Sequence, residues 1–427
     1  MKILNQFEDQ DLNFHLGSQH LWLPYTQMQN HLPQLRVKSA KGVKITLHDN
    51  STIIDGIASW WSVAHGYNHP HLVKALVNQA KNLSHIMLAG FAMDSTYQLA
   101  HRLCKFCEMD HIFFADSGSN AIEVAMKIAW QFHINHREIN KTKFVSFKNS
   151  YHGDTTGAMS LADLNSGMHQ KFAKILLNNF SLEIPKNQND LEQFEDFIKT
   201  NQSQIAGLFI EPIVQCASGM KFHHPEILQA IFKICKDYKI LVIADECATG
   251  FYRLGKKFAY QFTNQKPDIL VIGKALTGGT ISLASVLVTK EIYQSFLNDS
   301  LDFALMHGPT FIGNPLACSV ANASLDLFEN DDYQAKAKNI ENILTKEFKN
   351  LAKQNLIKNF HVQGAIAVIY LELDWQKTLS LRKKFIEHKV FLRPFANCIY
   401  LMPSLNIKNS EIKIIVNAIK EVLTSYN

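Results

Sequence analysis

Two short apolar runs most constrain what this chain can fold into: KILVIADE at 239–246 and ILVIG at 269–273. Neither alternates apolar with polar residues, and each is too short for a typical helix. That is the pattern of a strand covered on both faces of a parallel sheet. The first run ends in Asp245 and Glu246, then breaks into a Thr-Gly turn. The second ends in Gly273 and Lys274, with Gly278 and Gly279 close behind. Open α/β sheets hold their ligands at the carboxyl ends of such strands. A carboxylate and an amine are therefore expected where a sheet of this kind works. Loss of hydration beside a core favours the neutral, nucleophilic form of a lysine.

Further runs extend the pattern. HIFFAD (111–116), KFVSF (143–147), IAGLFIEP (205–212) and ASVLVT (284–289) read as strands, and 119–132 and 225–238 as amphipathic helices between them. The alternation predicts an α/β domain with a mainly parallel central sheet. The ends read differently. Residues 1–60 hold short strand-like pieces, and residues 333–427 open with a long helix before mixing strands with a closing helix. We expect a large domain over 61–332 and a smaller α+β domain built from 1–60 together with 333–427.

The 43 basic and 38 acidic residues leave a net charge of +5 spread along the chain, with no basic run of the kind that marks a nucleic-acid surface. Residues 1–17, MKILNQFEDQDLNFHLG, are broken by charges and amides before any apolar stretch forms, unlike a secretory leader. No window holds the ~20 apolar residues of a membrane helix. A cytoplasmic protein without membrane or nucleic-acid partners is expected. Seven cysteines at irregular spacing do not suggest a disulfide framework. The CKFC pair, Cys104 and Cys107, lies in a helix-like segment, and no second pair completes a four-ligand zinc site, so no metal is expected.

Gly273-Lys274 is not the end of a P-loop, because Asp268 and Ala275 stand where that motif needs glycine and a hydroxyl. Asp245 and Lys274 together suit a different cofactor. In a pyridoxal phosphate site a lysine carries the cofactor aldehyde and an acidic side chain keeps the ring nitrogen protonated. Other segments supply matching parts. Ser117-Gly118-Ser119 before a helix forms an anion cup or a plain capping turn. Tyr151-His152-Gly153 offers an aromatic face or only a turn. Gly308 and Thr310 lie in MHGPTFIGNP, as phosphate donors or as a Gly-Pro turn. Each piece has an ordinary structural alternative; the ordered set points to the cofactor.

With these motifs the chain resembles the class III, fold type I aminotransferases over nearly its whole length. LPYT (23–26), DGIASWWSVAHGYNHP (55–70), ADSGSNAIEVAMK (115–127), YHGDTTGAMS (151–160), GKALTGGT (273–280), MHGPTFIGNPLAC (306–318) and LRPFANCIYLMP (392–403) carry the resemblance. The paired Trp60-Trp61 and the HGPTF loop are similar to the biotin-synthesis branch. There an amino group passes from S-adenosylmethionine, or lysine in some relatives, to a long keto acid. The resemblance implies that Lys274 binds pyridoxal phosphate and that Asp245 faces its ring nitrogen. Gly118, Ser119, Pro309 and Thr310 would surround the phosphate, the last two from the other subunit of a homodimer. Tyr151 would stack on the ring; Tyr25, Trp60, Gly308 and Arg393 would line the substrate pocket, with Tyr400 near Arg393. An arginine in an apolar stretch suits a clamp on a distant carboxylate. Cys216, Ser218, Cys247 and Tyr252 depart from the family pattern, and Tyr252 is expected near the pocket.

Two other readings compete. An ω-amino-acid aminotransferase using 2-oxoglutarate fits less well with Trp60, Trp61, Tyr25 and Arg393. A non-catalytic scaffold would be expected to lack Lys274 or Asp245, and both are present.

Overall fold

Every residue of the 269–272 strand and of the 241–245 strand is buried, as their unbroken apolar runs require. The computed structural model describes residues 9–425 apart from 32, 165, 166 and 355. Residues 1–8 of the N-terminal stretch considered for a leader lie outside the described residues.

The central sheet has seven strands: β1 (His111–Ala115), β2 (Lys143–Phe147), β3 (Phe180–Leu182), β4 (Ile205–Ile210), β5 (Leu241–Asp245), β6 (Ile269–Ile272) and β7 (Ala284–Val288). Their order is β1-β7-β6-β5-β4-β2-β3. Every neighbouring pair is parallel except those made by β7, which runs antiparallel to both β6 and β1. The six runs identified from sequence are thus six strands of one sheet. The short β3 carries the partly exposed Phe180–Leu182 segment and lacks the apolar length that would have marked it.

Side chains alternate between two cores. Ile243, Ile269, Val271 and Val286 pack with Ile122, Ala125 and Ala129 of the Gly118–Asn135 helix on one face. Val242, Ala244, Leu270 and Ile272 join a larger core with Leu228, Ile231 and Phe232 of the Pro225–Asp237 helix on the other. Period-two alternation between covered faces is why these strands read as continuous apolar runs.

Segments from both ends of the chain share a second sheet. Val37–Lys41, Lys44–Leu47 and Thr52–Asp55 form an antiparallel ribbon, and Thr52–Asp55 pairs in parallel with Val390–Phe391. Asp55 lies opposite Phe391. A third sheet, Ile357–Gln363, Ile366–Leu371 and Cys398–Leu401, is antiparallel and packs against the helix Tyr333–Leu351, which in turn meets the closing helix Asn409–Thr424. The Cys104-Cys107 pair lies in the helix Asp94–Cys107 as free thiols. No helix among the described residues is long and apolar enough to cross a membrane.

Candidate active site

Register brings the two strand ends together. Asp245 of β5 lies opposite Val271 of β6, and Lys274 follows three residues later. Lys274 opens a short 3-10 turn with a left-handed backbone (φ 43°), so the chain leaves the sheet sharply at that residue. Such a conformation in a side chain other than glycine stores strain, here beside the strand ends. Asp245 is 6% exposed. Its Oδ1 accepts the Cys247 amide (3.0 Å) and its Oδ2 accepts from Nδ1 of the buried His152 (2.9 Å). Burial pushes the carboxyl pKa up, yet the His152 hydrogen bond and the charges of His152 and Lys274 outweigh it, so the pKa falls below the usual range. Asp245 is held as an anion.

Lys274 itself is not sunk in the core. It is half-buried, in a wall shared by two cavities. The smaller, about 420 Å³, is lined by Lys274, Ser117, Gly118, Thr277 and Ser282 among others. Ser117 caps the Gly118–Asn135 helix, its side chain accepting from the Asn120 amide (3.4 Å). The capping reading and the anion-cup reading are therefore compatible. The cap uses the Ser117 oxygen, while the amides of Gly118 and Ser119 have no acceptor within the helix.

The Tyr151–Asp154 loop closes over that helix start. Ser119 Oγ accepts the Asp154 amide (3.2 Å), and Gly153 (φ 127°) rests against Ser119 so closely that an added Cβ would lie 2.1 Å from Oγ. Only glycine fits. The Tyr151 amide donates to Glu211 (2.9 Å), a carboxyl buried at the end of β4 and also bound by the Cys216 amide (3.0 Å). Burial pushes the Glu211 pKa up to about 7, against the opposing pull of His152. The IEP segment reads in sequence only as a strand, although a carboxylate ending an apolar run is the same signal that marks Asp245.

The larger cavity, about 640 Å³, is mainly aromatic, with Tyr25, Trp60, Trp61, Tyr151, Phe395 and Tyr400 in its walls. Its shape depends on an unusual turn. Ala58, Ser59, Trp60 and Trp61 all have positive φ, between 47° and 77°. A left-handed run costs L-residues roughly 1–2 kcal/mol each. Asp55 offsets this by accepting the amides of Ile57 and Ser59 (both 2.8 Å) and the Tyr67 hydroxyl (2.7 Å). Arg253, fully buried, donates to the Trp61 carbonyl (2.9 Å) and to that of Pro403. The turn places Trp60 edge-on to Tyr25 (5.8 Å) and beneath the Arg393 guanidinium (4.4 Å). Trp61 meets Tyr400 (6.2 Å) and lies 5.2 Å from Lys274 Nζ. The Tyr25 and Tyr151 hydroxyls lie 3.1 Å apart, and both donate to Asp154.

The structure thus gathers Lys274, Asp245, Gly118, Ser119, Tyr151, Tyr25, Trp60, Arg393 and Tyr400 into one region. It does not bring Gly308, Pro309 or Thr310 to either cavity of the same chain. Their loop is held outside by Lys127, which donates to the Met306 carbonyl (2.6 Å), and by His307 against Phe113, leaving Gly308 and Thr310 exposed. Tyr252 is also elsewhere. It packs on Phe106, Phe328 and Tyr333 and lines neither cavity, though its φ of 67° is one that glycine would take without strain. Sequence reasoning missed Arg253, Glu211 and Asp154, because their parts come from contacts between distant segments. It also missed Asp55 and Arg382, because neither closes a long apolar run and only the fold carries their segments to the cavity wall.

Residues 25–423 match the family model for class III aminotransferases. The chain belongs to that family. It is 40% identical to the adenosylmethionine-8-amino-7-oxononanoate aminotransferase of Buchnera aphidicola subsp. Schizaphis graminum, over 95% of each chain. It is 35% identical to the yeast enzyme of the same name (Saccharomyces cerevisiae), over 95% of this chain and 94% of that one. Among solved structures, the enzyme of that name from Methanocaldococcus jannaschii superposes with a TM-score of 0.91 at 28% identity, over 98% of this chain and 99% of that chain. A PLP-bound amine transaminase from an uncultivated Pseudomonas species gives 0.87 at 26%, over 95% and 99%. This class III aminotransferase accordingly has the fold type I architecture and depends on pyridoxal phosphate. Its donor set suits that group: an amine for the aldehyde, a buried anion for the ring nitrogen, and unpaired amides at a helix start for the phosphate.

The tight Gly153–Ser119 contact gives a direct test. Gly153→Ala should push the loop off the helix start and weaken pyridoxal phosphate binding by roughly an order of magnitude or more, ~1.4 kcal/mol. Titration of the apoprotein, followed by absorbance, measures it. Unchanged affinity would remove this loop from the phosphate site.

Proposed function

We propose that this class III aminotransferase acts in biotin biosynthesis, taking an amino group from S-adenosylmethionine and delivering it to 8-amino-7-oxononanoate to give 7,8-diaminononanoate. The observation that carries the reading is the cavity of about 640 Å³, rich in aromatic side chains, whose lining includes Lys274 and also Arg393, which lies over Trp60. A chain with its reacting ketone far from its carboxylate suits such a space. The names of the relatives similar to it over most of their length support the same substrates over an ω-amino-acid reading. We place the reaction in the cytoplasm, a setting that suits seven unpaired cysteines.

In this reading Lys274 binds pyridoxal phosphate, with Gly118, Ser119 and Tyr151 around it and Asp245 against its ring nitrogen. When bound, the cofactor supplies an electron sink for charge developing on the substrate carbon. Asp245, kept ionised by His152, holds the proton on the ring nitrogen that this role needs. Lys274 Nζ would serve as the base that takes a proton from the donor carbon and holds it for return. For the acceptor it moves the proton in the opposite sense. Tyr25, Trp60 and Trp61 wall off water around it. Gly308, Pro309 and Thr310 complete the site from a second copy of the chain, which the exposure of Gly308 and Thr310 in a single chain supports.

Three outcomes are expected. Borohydride treatment should fix the cofactor covalently on Lys274, and Lys274→Ala should lose turnover; an adduct on a different lysine refutes the assignment. Arg393→Ala should impair the acceptor half-reaction by at least an order of magnitude, as loss of one partner of a desolvated charge pair costs ~2–5 kcal/mol. The donor half-reaction should change far less, and Arg393→Lys should restore only part, lacking the bidentate fork. Equal damage to both half-reactions would count against the acceptor assignment. Mixing inactive Lys274→Ala and Thr310→Trp chains under exchanging conditions should recover activity from heterodimers with one intact site. No recovery argues against a shared site.

A further inference from the structure

Arg382 reaches the aromatic cavity from a segment that the family motifs do not cover. It lies within the helix Trp375–Glu387, whose neighbouring residues Leu381 and Phe385 are fully buried and fix the helix against the core. Its side chain lines the same cavity as Arg393. Its Nε donates to the Pro394 carbonyl (3.1 Å), so the two arginines are also tied through the backbone of adjacent residues.

The charges around this pair do not balance. Burial, followed by the charge of Arg393, brings the Arg382 pKa down to about 10, and among the described residues no carboxylate stands among the groups acting on either guanidinium. Asp154, the one carboxylate lining the cavity among the described residues, is engaged by Tyr25, Tyr151 and His169 instead. Lys274 lies in another part of the wall, over Trp61, whereas Arg393 lies over Trp60 and Arg382 bonds the carbonyl next to it. The cavity therefore has an amine at one place and two uncompensated guanidiniums at another.

We propose that Arg382 is a second specificity-determining residue, forming with Arg393 a two-guanidinium clamp on the remote carboxylate of the amino acceptor. A carboxylate offers about four lone-pair sites, enough to accept from both arginines at once. Binding it relieves the repulsion between two half-buried cations. The inference rests on the acceptor reading above, and deepens it by adding a residue outside the motifs.

The test uses the holoenzyme and two acceptor-length probes, nonanoate and nonanamide, with dissociation constants from calorimetry. Arg382→Met keeps an apolar stem and removes the charge. It should weaken nonanoate binding roughly tenfold or more while leaving nonanamide within about twofold, and Arg382→Lys should recover part of the loss. If Arg382 only props the Pro394 backbone, both probes weaken together, and the clamp is refuted. Unchanged nonanoate affinity refutes it as well. The clamp and the proposed function fail separately. A natural enzyme whose nonanoate binding depends on Arg382 but which does not turn over 8-amino-7-oxononanoate keeps the clamp and loses the proposed function. Turnover with Arg382-independent nonanoate binding does the reverse.

Discussion

The buried pair of Asp245 and His152 is the constraint around which the site is arranged. An ionised carboxylate at the end of a covered strand loses most of its hydration, and such a group is tolerated only when paired and hydrogen-bonded. His152 and the Cys247 amide meet that need. Their presence fixes where the Tyr151–Asp154 loop must run. That loop in turn presses Gly153 onto Ser119 and sets Tyr151 in the wall of the aromatic cavity. A single desolvated charge thus ties together a strand end, a loop and a helix start that are far apart in sequence.

The second half of the site depends on a different sheet. Pairing of Asp55 with Phe391 aligns two chain ends so that Trp60, five residues past Asp55, and Arg393, two past Phe391, meet at 4.4 Å. Asp55 does two things in this arrangement. Its backbone sets the register, and its carboxylate holds the left-handed turn that carries both tryptophans. Strain of this kind persists only where surroundings over-determine it, and it concentrates at functional sites. The cation–π contact then contributes on the order of 0.5–2 kcal/mol to keeping Arg393 in place.

Much of this is legible in the sequence. Apolar runs doubly covered in the sheet stand out in one dimension, because both faces demand small or apolar side chains, with Ser146 and Ser285 as buried polar exceptions within them. Asp245 and Lys274 stand out because each puts a charge directly after such a run, at the strand end where a parallel sheet meets its ligand. Ser117-Gly118-Ser119 is ambiguous between cap and cup in sequence, and the structure shows that the cap uses the Ser117 side chain, which leaves the cup reading open. Tyr252 is expected near the pocket from its departure from the family pattern beside Arg253, but it turns outward while Arg253 turns in. Sequence proximity does not say which of two neighbours faces a site.

By itself, then, the sequence determined the sheet, its covering helices and the placement of an amine and a carboxylate at the ends of two strands, since burial patterns and charge placement are local properties. Tertiary structure alone decided what surrounds that chemistry. Glu211 beneath Tyr151 and Arg253 beneath Trp61 act through partners distant in the chain, while Asp55 and Arg382 bond to nearby residues and reach the site only because the fold carries their segments to it. A buried carboxylate or guanidinium is stable only where the fold delivers its hydrogen-bond partners, and those partners are chosen by packing between segments, which no local pattern records.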